Sequence, residues 1–157
     1  MAPDDYCHTQ TSPVRFVLWA VIIVSLLACW VWRAEFWAWF SMLLVVGALG
    51  LIWLTMTTLT TMDDGDALLV QFGPLPLFST RIPYESIRES KATRSRIIDG
   101  WGLHYVPGRG WTWSLWGFGC VEIQREWTTI RVGTDDAENL AAFLQTRISR
   151  TERTSNS

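Results

Sequence analysis

The side chains able to do chemistry in this chain are few and far apart. There are two histidines, His8 near the start and His104 in an alternating apolar segment, and neither has a cysteine or carboxylate at a metal-ligand or triad spacing. Cys7, Cys29 and Cys120 form no pattern of a metal site or a disulfide framework, which fits a reducing compartment. Glycines recur at 100, 102, 108, 110, 117 and 119, but no GxGxxG or GxxxxGK[ST] occurs to cradle a phosphate. The sequence therefore predicts no catalytic residue, no metal and no cofactor, and a protein that is not an enzyme. What remains is binding chemistry. Residues 81–96 (RIPYESIRESKATRSR) carry five basic groups, Arg81, Arg88, Lys91, Arg94 and Arg96, against Glu85 and Glu89, a local charge of +3. Beside anionic lipid each exposed basic group gains about 1 kcal/mol. The competing reading is a strand edge kept soluble by charge. Trp101, Trp111, Trp113 and Trp116 fall within sixteen residues. Some of them fill a core, as aromatics favour strands; any left outside form a patch suited to a protein partner or a lipid interface. The binding candidates are thus Arg81, Arg88, Lys91, Arg94, Arg96, Trp111, Trp113 and Trp116.

The elements that must position these residues begin with an anchor. Residues 16–32 and 36–54 are apolar runs of 17 and 19 residues separated only by Arg33, Ala34 and Glu35. At 1.5 Å per residue they reach roughly 26 and 28 Å, close to the hydrocarbon thickness of a bilayer. The pattern predicts a transmembrane helical hairpin over residues 14–54, after a flexible polar tail over residues 1–13. Trp30, Trp32, Trp37 and Trp39 cluster at the turn, with Phe16, Trp19 and Trp53 near the other ends, as aromatic belts do. Gly47 and Gly50 would allow close helix approach. Leu26-Leu27-Ala28-Cys29 loosely matches a lipobox, yet Trp30-Val31-Trp32 follows instead of a polar tether, so Cys29 reads as a packed cysteine. Arg15 and Arg33 balance one another across the span, so charge alone does not orient it.

Beyond Leu54 the texture changes. Residues 55–157 hold eleven basic and twelve acidic groups, an almost neutral domain that excludes a nucleic-acid role. Residues 55–62 (TMTTLTTM), the turn Asp63-Asp64-Gly65-Asp66, and alternation through Leu68, Val70 and Phe72 predict a β-hairpin directly below the second helix. Further short strands follow around residues 78–82, 87–92, 101–106, 111–116, 120–124 and 127–132. After Gly133 the period becomes helical, with a stripe of Leu140, Ala141, Leu144 and Ile148, acidic groups at Asp135, Asp136 and Glu138, and Arg147 and Arg150 near the end. Residues 151–157 read as a polar tail.

Four stretches carry a family resemblance. The block Gly100-Trp101-Gly102-Leu103-His104-Tyr105, the strand Trp111-Thr112-Trp113-Ser114, the strand Val121-Glu122-Ile123, and Ile130-Arg131-Val132-Gly133-Thr134-Asp135-Asp136 leading into Leu140-Ala141-Ala142-Phe143-Leu144 resemble bacterial pleckstrin-homology-like (PH-like) domains of small membrane proteins. Two positions depart from that pattern: Ala137 replaces a proline, and Arg125-Glu126 replaces a glycine-containing turn. Over residues 55–150 the resemblance implies a PH-like, roughly seven-stranded, partly open β-barrel capped by a C-terminal α-helix. It further implies a multi-pass protein of the bacterial inner membrane with both termini cytoplasmic. The expected function is a membrane-anchored, non-enzymatic binding or scaffolding module whose partner is a protein or an anionic lipid, with no nucleic acid. The alternative is an accessory subunit of a larger membrane complex that acts through its hairpin.

Overall fold

In the computed structural model of the chain, the described residues are 5–31, 35–95, 102–108 and 110–155, without the side chains of residues 14, 15 and 152–155. The two apolar runs become helices α1 (Val14–Val31) and α2 (Phe36–Met56). At 21 residues, about 32 Å at 1.5 Å per residue, α2 is long and apolar enough to cross a membrane; the apolar part of α1, Phe16–Val31, is shorter. A helix this apolar inside a water-soluble core is buried all round. Only 11% of the α2 window is buried within the protein. The glycines do not bring the helices together as the sequence suggests, since a Cβ on Gly47 or Gly50 would meet nothing within 4 Å.

The segment preceding the helices is no loose tail. Residues Cys7–Thr11 form strand β1, antiparallel to β2 (Thr58–Asp63), with Cys7 opposite Met62 and Thr11 opposite Thr58. Polar composition hides this strand, but an unpaired β2 edge offers a row of backbone donors and acceptors that β1 satisfies. The Ser12 N–H then donates to the Thr57 carbonyl at 2.9 Å, so the two roots of the helix pair are hydrogen-bonded neighbours.

Strands β3 (Ala67–Gly73) and β4 (Ser79–Pro83) complete a first sheet in the order β1-β2-β3-β4. Pro83 has no N–H to continue the ladder, and a short 3-10 turn (Tyr84–Ser86) redirects the chain. Strand β5 (Ile87–Arg94) therefore leaves its predecessor and joins a second sheet with β6 (Gly102–Val106), β7 (Gly110–Ser114), β8 (Gly119–Arg125) and β9 (Thr129–Gly133). Its order is β5-β8-β9-β7-β6, with β7 and β9 parallel. Where those two strands meet only glycine fits, because a Cβ on Gly110 would lie 1.9 Å from the Thr129 carbonyl oxygen.

Where the sequence predicts a partly open barrel of roughly seven strands, the described residues form nine strands in two sheets and no closed barrel, so the mostly β unit holds while the strand count is larger. One core joins them. Leu59, Val70, Phe72 and Ile82 from the first sheet meet Trp113, Val121, Ile123 and Val132 from the second, and Phe72 stacks on Trp113 with ring centroids 5.8 Å apart. Helix α3 (Ala137–Ser155) buries Leu140, Ala141, Phe143 and Leu144 in the same core. The Ser90 hydroxyl on β5 donates to the Ala141 carbonyl, holding the helix to the second sheet. Because α3 continues to Ser155, most of the expected C-terminal tail is helical.

Candidate functional site

The strands carry the chain between two chemically different ends. Thr58, Gly73 and Gly119 lie at the root end: the Thr57 N–H donates to the Gly73 carbonyl, and the Gln10 amide donates to the Trp116 carbonyl at 2.8 Å. Asp63, Ala67, Ile87 and Arg125 lie at the far end, since Asp63 closes β2 and Ile87 pairs with Arg125 at the tip of β8.

At the far end an open cleft of about 850 Å³ lies between the 3-10 turn, the β8–β9 hairpin and α3, lined by Tyr84, Glu85, Arg88, Arg125, Trp127 and Ile148 among others. A neighbouring hollow of about 330 Å³ shares Tyr84 and Glu85 and is bordered by Asp66, Arg147 and Arg150. Their common support is a polar knot. The Tyr84 hydroxyl donates to Asp63 Oδ1 at 2.7 Å, and Arg147 Nη2 donates to Asp63 Oδ2. The Asp63 side chain is only 1% exposed, and the Arg147 guanidinium sits over the rings of Phe143 and Tyr84 at 5.3 and 5.8 Å. The knot thus ties the β2–β3 turn to α3 across 84 residues of sequence.

Burial, and then the bond to and charge of Asp63, push the Tyr84 phenol well above the ordinary tyrosine range. Tyr6 is displaced the same way, by burial first and by Asp136 second, and its hydroxyl donates to Asp136 Oδ2 at 3.2 Å. Both phenols stay neutral near pH 7 and serve as donors. His8 Nε2 lies 2.5 Å from Asp135 Oδ1. These two contacts clasp β1 to the entrance of α3. Among the described residues, no group of three His, Cys, Asp or Glu side chains could hold a metal ion.

Trp127 stands on the lip of the cleft. Its hairpin closes through Glu126 and Trp127 alone, with the Arg125 N–H donating to the Thr128 carbonyl at 2.9 Å. Such turns favour small or polar residues. Here an indole is 91% exposed, contributing nothing to the core. A lone missing-glycine signal at Arg125-Glu126 marks this turn in the sequence, but nothing there marks Trp127.

The eight candidates read from the sequence do not converge. Arg81 bridges Asp64 Oδ2 and Asp66 Oδ1, each at 2.8 Å, on the far side of the first sheet. Arg88 pairs with Glu126 beside the cleft, Lys91 sits opposite Glu122 midway along β5, and Arg94 sits opposite Gly119 at the root end. Arg81 therefore lies on β4 of the first sheet, and Arg88, Lys91 and Arg94 are strung along β5 of the second. Trp113 belongs to the core, Trp111 is half-exposed against Tyr105, and Trp116 lies at the root end. Arg96 and Trp101 lie outside the described residues. A separate apolar groove of about 310 Å³ runs between α1 and α2, lined by Leu18, Trp19, Ile22, Val46, Gly50 and Trp53 among others.

Comparison with protein-family models, with curated proteins and with solved structures returned no match for this chain.

Proposed function

We propose that the chain is a membrane-anchored, non-enzymatic binding module. In this reading a two-span hairpin tethers a PH-like β unit to the bacterial inner membrane with both termini cytoplasmic, and the far-end cleft receives a protein partner. One observation carries the cleft: a fully presented indole, Trp127, beside a cleft of about 850 Å³, at the end of the strands opposite the helix roots. Exposed tryptophans that serve neither turn nor core are the residue type that dominates protein interfaces. The mixed charges around it, Arg88, Glu126, Glu85 and Arg125, suit a polar rim.

The strand pairing supports a second span in this reading. Thr11 and Thr58 are strand partners, so if α2 crosses a layer the chain before it starts on the same side as the chain after it, and the apolar α1 is the element that would make the other crossing. Two sheets over one core with a closing C-terminal helix support the PH-like reading.

A photo-crosslinking residue at position 127, compared in cells with one at the exposed Glu138, tests the cleft. A discrete adduct from 127 that is absent from 138 is the expected result; equal or no labelling at both removes the cleft reading. A second reading, an accessory subunit acting through its hairpin, is favoured by the apolar groove between α1 and α2. Exchanging the hairpin for an unrelated two-span anchor separates the two, because function lost with the cleft intact assigns it to the helices.

A further inference from the structure

We infer that the root end of the β unit is itself a lipid-contacting surface: two apolar loops around the helix roots embed in the bilayer interface and hold the domain upright. This rests on the reading of α2 as a span and goes beyond it, since a span alone leaves the domain free to tilt on its tether.

The first loop joins β3 to β4. Its Leu75 N–H donates to the Leu54 carbonyl at 2.7 Å, satisfying one of the four carbonyls that a helix end leaves open. Leu54 lies two residues before the end of α2, about 3 Å along the axis. Leu75 is thus pinned at the depth of the last helical turn, where hydrocarbon gives way to headgroups. Leu75, Leu77 and Phe78 are 42, 59 and 41% exposed. The second loop joins β7 to β8. Its Trp116 carbonyl accepts from Gln10, two residues before the Ser12 that bonds Thr57. Trp116 and Phe118 are 37 and 42% exposed.

Five large apolar side chains lie on two loops whose backbones bond to Leu54 of α2, to Phe72 of β3 and to Gln10 of β1, and their exposure at the helix roots is surface that water disfavours. Continuity with α2 names its occupant, because the layer that begins where the helix ends is a lipid interface, the preferred setting of Trp and of partly inserted Leu and Phe. Arg94, opposite Gly119 on the same end, reaches the headgroups. The basic strand is otherwise dispersed, so the contact is apolar in origin and persists in zwitterionic lipid.

The test uses the full-length chain with Cys7, Cys29 and Cys120 replaced by alanine, reconstituted in phosphatidylcholine vesicles with and without phosphatidylglycerol. An environment-sensitive fluorophore is placed on a single cysteine at 77, 118, 127 or at Val45 in the middle of α2. The expected result is blue-shifted emission and several-fold lower iodide quenching at 77 and 118 than at 127, in both lipid mixtures. Quenching at 77 and 118 equal to that at 127 overturns the proposal. The Val45 position keeps the two ideas apart: a deeply shielded 45 beside water-exposed 77 and 118 retains the span and sinks the loop contact, whereas a water-exposed 45 sinks the span itself. Leu77→Glu combined with Phe118→Glu adds a check, since it should raise iodide access to a fluorophore at 75 while leaving 45 shielded; no change at 75 counts against insertion.

Discussion

The two ends of the β unit solve opposite solvent problems. At the root, Leu75, Leu77, Phe78, Trp116 and Phe118 are exposed, and loop backbones there bond to the Leu54 carbonyl at the end of α2 and to the Gln10 amide of β1. At the far end, the side chains themselves are bonded: Arg81 to Asp64 and Asp66, Arg88 to Glu126, and Asp63 to both Tyr84 and Arg147. A buried carboxylate is tolerated only with charge and hydrogen-bond partners. The far end therefore behaves as a rigid, water-adapted platform and the root as an apolar collar. Trp111 and Tyr105, toward the same end, are half-exposed but pack on each other, whereas Trp127 is 91% exposed at the polar end, and that mismatch is why it reads as a contact residue rather than a structural one.

The contrast can be broken most severely from the middle. Trp113→Ala removes the ring that stacks on Phe72 and should cost about 4 kcal/mol of domain stability, read by chemical unfolding in micelles. If the loss is no greater than for an exposed substitution, the two sheets do not share a core. Asp63→Ala should cost about 3 kcal/mol, because it removes the buried carboxylate that Arg147 bonds and leaves Tyr84 without its acceptor. A stability equal to wild type would mean that the knot does not fasten α3.

A smaller effect sharpens the electrostatic half of the comparison. Tyr84→Phe should cost about 1 kcal/mol near neutral pH, the typical worth of one hydrogen bond. The folded-state pKa of Tyr84 is raised above the unfolded value of about 10, so its contribution is complete below that pH and is lost as pH climbs above it. Wild type should therefore lose stability above about pH 10 more steeply than the variant; parallel alkaline slopes would contradict the buried phenol. Smallest of all, Trp127→Ala should change stability by less than about 0.5 kcal/mol, read by the same chemical unfolding. A large destabilisation would return Trp127 to a structural role.

Legibility in the sequence tracked the span of the interactions. The helical runs, the strand positions from Ala67 onward and the α3 stripe are local periodicities, and each lies close to its expected place. β1 was hidden because its strand character comes from Thr58–Asp63, some fifty residues away, and not from the polar CHTQT. Similarly, the basic run over residues 81–96 is contiguous in sequence, but the turn at Tyr84–Ser86 divides it between two sheets. Contiguity along an extended strand spreads charges over its length instead of gathering them.

By itself the chain's amino-acid order determined that two apolar segments lie back to back, that a nearly neutral and mostly β region follows, and that an amphipathic helix closes it, since hydropathy and period act over a few residues. Only the tertiary structure decided that the strands divide into two sheets, that Asp63, Tyr84 and Arg147 meet, and that apolar loops collect at the root while Trp127 stands exposed on the lip of the far-end cleft. Those outcomes depend on which strand pairs with which, and pairing is fixed by backbone hydrogen bonds and burial between residues that have no proximity in sequence.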